Sequence, residues 1–131
     1  MNILVGYDGS NAAKDALKLA KNRAKAYGAK IRVVKSVTPN YPLDYSLIQV
    51  AEENLEREIR NQFNGDITNY ETHLLVSSSP TGQNLVQIAE QEKIDEIIIG
   101  VRRRSKVGKL LLGSTAQYVI LHAPCPVITV K

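Results

Sequence analysis

The feature that most constrains this chain is an alternation of two segment types. Short, unbroken apolar runs are separated by longer stretches with helical spacing of their apolar residues. The first run is Ile3-Leu4-Val5, which ends in Gly6-Tyr7-Asp8-Gly9-Ser10, a cluster of turn and cap formers. A helix is expected next, with Ala12, Ala16, Leu19, Ala20 and Ala24 on one face and Lys14, Lys18, Lys21 and Lys25 on the other, stopped at Gly28. The β-branched run 31–37 reads as a second strand, and Pro39 and Pro42 mark the loop 38–44. A second helix is predicted from about Tyr45 to Gln62, with Leu47, Ile48, Ala51, Leu55 and Ile59 as its stripe, broken by Asn64-Gly65-Asp66.

The second half repeats the scheme. Residues 70–76 form a third strand, Leu85, Val86, Ile88 and Ala89 a short third helix, and Ile97-Ile98-Ile99-Gly100 a fourth strand. The fourth run has no polar alternation, as expected of a strand covered on both faces. Gly113-Ser114 opens a fourth helix, with Ala116, Val119, Ile120 and Leu121 expected to face inward. Ala123-Pro124-Cys125-Pro126 stops it, and Val127-Ile128-Thr129-Val130 is the fifth strand. Strands alternating with helices predict an α/β fold, a parallel sheet with helices on both faces.

Composition removes several alternatives. A chain of 131 residues with 44% hydrophobic and 23% charged residues is sized and balanced for one globular domain and not for disorder. The single cysteine, Cys125, excludes an intrachain disulfide framework and a cysteine-rich zinc site. No apolar stretch approaches the roughly 18 residues of a membrane span. The apolar start is too short for a signal-peptide core, so a cytoplasmic location is expected. The net charge of +4 permits anionic partners.

In open parallel sheets, ligands bind outside the carboxyl ends of the strands, where strand order reverses. Two of the four loops at those ends carry the glycines and the charge. In the loop 100–114, Gly113-Ser114-Thr115 would present backbone N–H groups and hydroxyls at a helix N-terminus, which suits a phosphate. Five of the eight residues 102–109 are basic (Arg102, Arg103, Arg104, Lys106 and Lys109), and arginine forks match phosphate oxygens. A solvated basic loop before an ordinary helix start fits this spacing equally well. Asp8 follows the first strand at the same edge, where it could accept from a ribose hydroxyl or an adenine amine, or act as a turn or capping acid.

Elsewhere the residues read as structural. His73 lies within a strand and His122 at a helix end, neither near a ligand partner. Cys125 reads as a small buried residue, and Glu52, Glu53, Glu56 and Glu58 as a solvated helix face.

Three segments together resemble the universal stress protein family, of the adenine-nucleotide alpha hydrolase-like superfamily, over essentially the whole chain. They are residues 3–10 with their Asp-Gly-Ser turn, the segment 100–115, and His122-Ala123-Pro124-Cys125-Pro126-Val127. The resemblance implies an open five-stranded parallel sheet in the order 3-2-1-4-5. The family's nucleotide motif is glycine, two residues, glycine, nine residues, glycine, then serine or threonine. Gly100, Gly113 and Ser114 match it, and Arg103 stands where the second glycine belongs. The site the resemblance implies is Gly6, Tyr7, Asp8, Ser36, Ile99, Gly100, Arg102, Arg103, Gly113, Ser114 and Thr115. Ser36 falls near a position that is commonly valine in ATP binders. The ligand implied is ATP or another adenine nucleotide, with Mg²⁺ reaching Asp8 only when ATP binds. The resemblance also implies a homodimer through the last strand, Val127, Ile128, Thr129 and Val130, whose short apolar edge invites pairing.

Four functional readings follow. The first is an adenine-nucleotide-binding stress-response regulator acting as a homo-oligomer. The second is a dimeric protein-interaction module in which Arg103 fills the phosphate site. The third, ATP hydrolysis, lacks a general base or metal-binding pair in the motif loops, with Asp8 and Mg²⁺ the one combination to test. The fourth, nucleic-acid binding through the basic loop, has no aromatic platform and ranks last.

Overall fold

In the computed structural model, residues 1–67, 69–101 and 112–131 are described. Five strands, β1 (Asn2–Gly6), β2 (Lys30–Val37), β3 (Tyr70–Val76), β4 (Glu96–Gly100) and β5 (Val127–Val130), form one sheet in the order β3-β2-β1-β4-β5. Every neighbouring pair is parallel. Four helices connect them: α1 (Asn11–Tyr27), α2 (Tyr45–Phe63), α3 (Thr81–Gln91) and α4 (Ser114–His122). The strand order that the family resemblance implies is therefore the one observed.

The order dictates which face each helix covers. From β1 the chain steps outward to β2 and β3, and right-handed crossovers keep α1 and α2 on one face. It then returns past β1 to β4 and β5, so α3 and α4 lie on the other. Two cores result. One joins Ile3, Val5, Ile31, Val33 and Ile98 to α1 and to Leu55, Ile59 and Phe63 of α2. The other joins Leu4, Val34, Ile97 and Ile99 to Leu85, Val86, Ile88 and Ala89 of α3 and to Ala116 and Val119 of α4. Adjacent residues of β1 and β4 thus serve opposite cores, which is why their apolar runs carry no polar alternation.

The helix ends obey local chemistry. Ser10 caps α1, its Oγ accepting from Ala13 N at 3.1 Å, and Gly28 ends α1 at φ 65°. Asp44 caps α2, accepting from Ser46 N at 3.0 Å, and Asn64 ends it at φ 50°. Three sequence expectations shift. The inner face of α1 is Ala13, Ala16, Leu17, Ala20 and Ala24, one step round from the expected set, with Leu19 only partly buried. In α2, Leu47 is exposed, because Ile48 and Ala51 take the core-facing side of the first turns and leave Leu47 on the flank. In α4, Ile120 and Leu121 face outward, since a nine-residue helix crossing one face buries only Ala116 and Val119.

Two close contacts lock the centre. Glu96 is buried at the start of β4 and receives both guanidinium arms of Arg23, at 2.5 and 2.7 Å. At the other end of β4, a Cβ on Gly100 would lie 2.4 Å from Ala12 C, 2.6 Å from Ala12 O and 2.7 Å from Ala13 N. The obstacle is helix backbone, which has no room to give. Gly100→Ala is expected to lower stability by about 1–3 kcal/mol or more through overpacking, read as a drop in the urea midpoint with an unchanged m-value.

Candidate functional site

The approach of α1 to Gly100 builds one side of a cleft at the carboxyl edge of the sheet. Gly6, Tyr7 and Asp8 line it from the end of β1, Ser36 from β2, and Ile99, Gly100 and Val101 from β4. Thr81 and Leu85 of α3, Ala13 of α1, and Gly113, Ser114, Thr115 and Ala116 at the start of α4 complete it. Its volume is about 280 Å³, near the lower end of small-molecule sites, which run from roughly 300 to 1,000 Å³. Nine of the residues proposed from the sequence line this one cleft: Gly6, Tyr7, Asp8, Ser36, Ile99, Gly100, Gly113, Ser114 and Thr115. Arg102 and Arg103 lie outside the described residues, as does the rest of the basic stretch 102–109.

The two motif glycines differ in what they do. Gly100 is required by the helix packed against it. Gly113 is not required by the fold: its φ of −68° and ψ of 167° suit any residue, and a Cβ there would meet nothing within 4 Å among the described residues. Its missing side chain leaves the backbone at the start of α4 open to the cleft. Among the described residues no side chain caps that helix, and its ladder begins with Gln117 N donating to Gly113 O at 3.1 Å. The N–H groups before Gln117 therefore stand outside the helical ladder, at the positive end of the helix. The N-terminus of α3 likewise has no side-chain cap, and its Thr81 lines the same cleft. The other two helices, α1 and α2, are capped by their own Ser10 and Asp44.

At the β1 end, Asp8 Oδ1 accepts from Ser10 N at 2.9 Å. Asp8 thus holds the turn ahead of α1, while the cap itself is Ser10. It is also the one carboxylate lining the cleft among the described residues. Tyr7 reaches the cleft at its backbone end of the chain, with its N donating to Val34 O at 2.9 Å. Its side chain belongs to the core beneath α1 and α2, where the phenol donates to Glu58 of α2. Burial, then the hydrogen bond and charge of Glu58, push the Tyr7 phenol well above the usual tyrosine range.

Sequence reasoning missed Asn84. Buried in α3, its Nδ2 lies 3.4 Å from Ser36 Oγ and 3.3 Å from Ser79 O, and its Oδ1 lies 3.3 Å from Ser77 Oγ. The available signal was an amide immediately before Leu85 and Val86 on an inward helix face. The acidic face of α2 is also less passive than expected: besides Glu58, Glu56 accepts from Tyr70 Oη at 2.9 Å.

The remaining candidates stay apart from the cleft. His73 Nδ1 lies 3.0 Å from Arg32 Nη2 on the sheet, and His122 stacks on Tyr118 with ring centroids 4.3 Å apart. Cys125 is partly buried, and burial pushes its thiol up, against nucleophilic use. Among the described residues no group of three or more His, Cys, Asp or Glu side chains could hold a metal ion, and no helix is long and apolar enough to cross a membrane.

The Tyr7–Glu58 bond gives a pH signature. Unfolded tyrosine releases its proton near pH 10. The folded state holds the Tyr7 proton to higher pH, so the unfolded state binds fewer protons above that point and stability falls as pH rises. Urea unfolding of wild type should show this loss above about pH 10, and Tyr7→Phe should show less of it while being less stable at neutral pH.

Comparison with known proteins gives one consistent result. The model of the universal stress protein family matches residues 1–131. A Thermus aquaticus relative, named universal stress protein in QAH/OAS sulfhydrylase 3'region, is 37% identical over 135 residues, covering 98% of this chain and 97% of its own. Among solved structures, a universal stress protein of Archaeoglobus fulgidus superposes with a TM-score of 0.83 at 33% identity, over 100% of this chain and 98% of that one. A universal stress protein from the same organism, in complex with dAMP, superposes with a TM-score of 0.78 at 30% identity, over 100% and 98% of the two chains.

Proposed function

Because this chain belongs to the universal stress protein family, we propose that its cleft binds an adenine nucleotide and that the protein acts as a homodimeric stress-response regulator. The observation that carries this reading is the start of α4. Among the described residues neither backbone angle nor packing demands a glycine at 113, and the helix N-terminus it opens into the cleft has no side-chain cap. That is the arrangement a phosphate needs: close approach, free N–H groups and the positive end of a helix. The dAMP complex of the Archaeoglobus fulgidus relative supports the same ligand class. In this reading phosphates sit at Gly113, Ser114 and Thr115. Ribose and base lie toward Asp8, Gly6, Ser36 and Ile99, and Asp8, the one carboxylate lining the cleft among the described residues, is the group Mg²⁺ on a bound nucleotide would meet.

A second reading keeps the dimer and removes the ligand. Arg103 replaces the motif's second glycine and brings a long cationic side chain to the phosphate end of the motif. Calorimetric titration with ATP and with AMP, with and without Mg²⁺, separates the two. Saturable, salt-sensitive binding by wild type is expected. Binding seen only in Arg103→Gly would establish the second reading instead. Gly113→Ser sharpens the test. A serine there supplies the missing cap and should raise stability by a few tenths of a kcal/mol. Because its hydroxyl takes an N–H group a phosphate would use, ATP affinity should fall about tenfold or more.

The dimer reading rests on β5. Pro126 O and Val130 O accept from Ile97 N of β4 and from Val101 N just after it, so the peptide groups of Val127 and Thr129 point away from the sheet. This outer edge carries no charged side chain within Val127–Val130. Thr129→Pro removes an outward N–H and leaves the bonds to β4 intact. Light scattering should give the mass of two chains for wild type and of one chain for Thr129→Pro, with little change in urea stability. A wild-type monomer would refute the dimer.

A further inference from the structure

The hydrogen-bond directions around Asn84 reach into the cleft. The Ser79 carbonyl can only accept, so the amide group 3.3 Å from it must be the Nδ2 end of Asn84. That choice fixes the rest of the amide. Oδ1 faces Ser77 Oγ, and the second N–H of Nδ2 faces Ser36 Oγ at 3.4 Å. Ser36 Oγ therefore accepts a hydrogen bond from Asn84 and keeps its own O–H to donate. No other partner for Ser36 is found among the described residues. Ser36 lines the cleft, on the same side of the sheet as α3 and at the opposite end from the start of α4.

We propose that Ser36, oriented by Asn84, is the residue that reads the nucleobase, its O–H donating to a ring nitrogen of a bound purine. The inference rests on the nucleotide reading given above and adds to it the base-contacting group and its direction. Asn84 is a positioning residue: it is buried, does not itself line the cleft, and its hydrogen bond to Ser36 sets which way the Ser36 O–H points. A valine at this position could make no such bond. The chemistry is selective because a hydroxyl forced to donate finds its partner in an acceptor atom of the base and gains nothing from a carbon at the same place.

The test uses ATP and its 1-deaza, 3-deaza and 7-deaza analogues, each lacking one ring-nitrogen acceptor, titrated calorimetrically into the full chain. Wild type should bind one of the three about 3- to 10-fold more weakly than ATP, the scale of one neutral hydrogen bond. Ser36→Ala should weaken ATP by a similar factor and no longer distinguish that analogue. Ser36→Thr, which keeps the hydroxyl, should restore the distinction. Asn84→Asp offers Ser36 an acceptor, draws its proton away from the cleft and should flatten the series. Urea midpoints report whether each variant is folded. Equal binding of ATP and all three analogues by wild type, or full discrimination retained in Ser36→Ala, overturns the inference while leaving nucleotide binding in place. No ATP binding by wild type overturns both.

Discussion

The structure depends on how closely α1 can approach β4. Gly100 lets the backbone of Ala12 and Ala13 come within a distance that any side chain would block. With α1 seated there, its alanine face covers the centre of the sheet, and the guanidinium of Arg23, near its other end, reaches the buried carboxylate of Glu96. The same helix is thus pinned at both ends of one strand. Glu96 alone would carry a severe burial penalty; paired with both arms of Arg23 it specifies where α1 lies along β4. Everything at the carboxyl edge inherits its position from this seating, because the turn 6–10 that joins β1 to α1 forms part of the cleft.

The cleft itself is a division of labour between two glycines that look alike in the sequence. One serves packing and the other serves access. A fold needing only stability would cap α4 with serine, threonine, aspartate or asparagine, as it caps α1 and α2. Here Gly113 supplies no cap and none comes from the other described residues, a local loss of stability where the cleft opens, which is the pattern expected of a binding site. Tyr7 adds a link of a different kind. Its backbone borders the cleft, while its phenol is tied to Glu58 on α2, so one residue joins the cleft edge to the core on the far face of the sheet.

Much of the fold was legible because it follows from local patterning. Ile97-Ile98-Ile99 announces a strand buried on both faces, and Gly28 and Asn64 end their helices as their chemistry predicts. What was not legible depended on distances between elements remote in sequence. Nothing near Gly100 in the chain says that Ala12 lies against it. Leu47, Ile120 and Leu121 carry the right periodicity for burial but lie where no second layer covers them. The acidic run in α2 looked like solvated surface, yet Glu56 and Glu58 find tyrosines from β3 and from the end of β1. A cleft lies at the carboxyl edge to which the rule for open parallel sheets points, and nine of the residues named from the sequence line it. Asn84 escaped because α3 also carries Gln83, Gln87 and Gln91, all exposed, and nothing in the sequence singles out the one amide that is buried.

The most direct test of the account is where a nucleotide acts on the backbone. Amide chemical shifts of isotope-labelled protein, followed during titration with dAMP, report each N–H separately. The account predicts saturable shifts concentrated at Gly113, Ser114, Thr115 and Ala116, with a second group at Gly6, Tyr7 and Asp8, and little change along β3. Saturable shifts that leave the start of α4 unmoved would contradict it, because the open backbone at Gly113 would then serve no ligand.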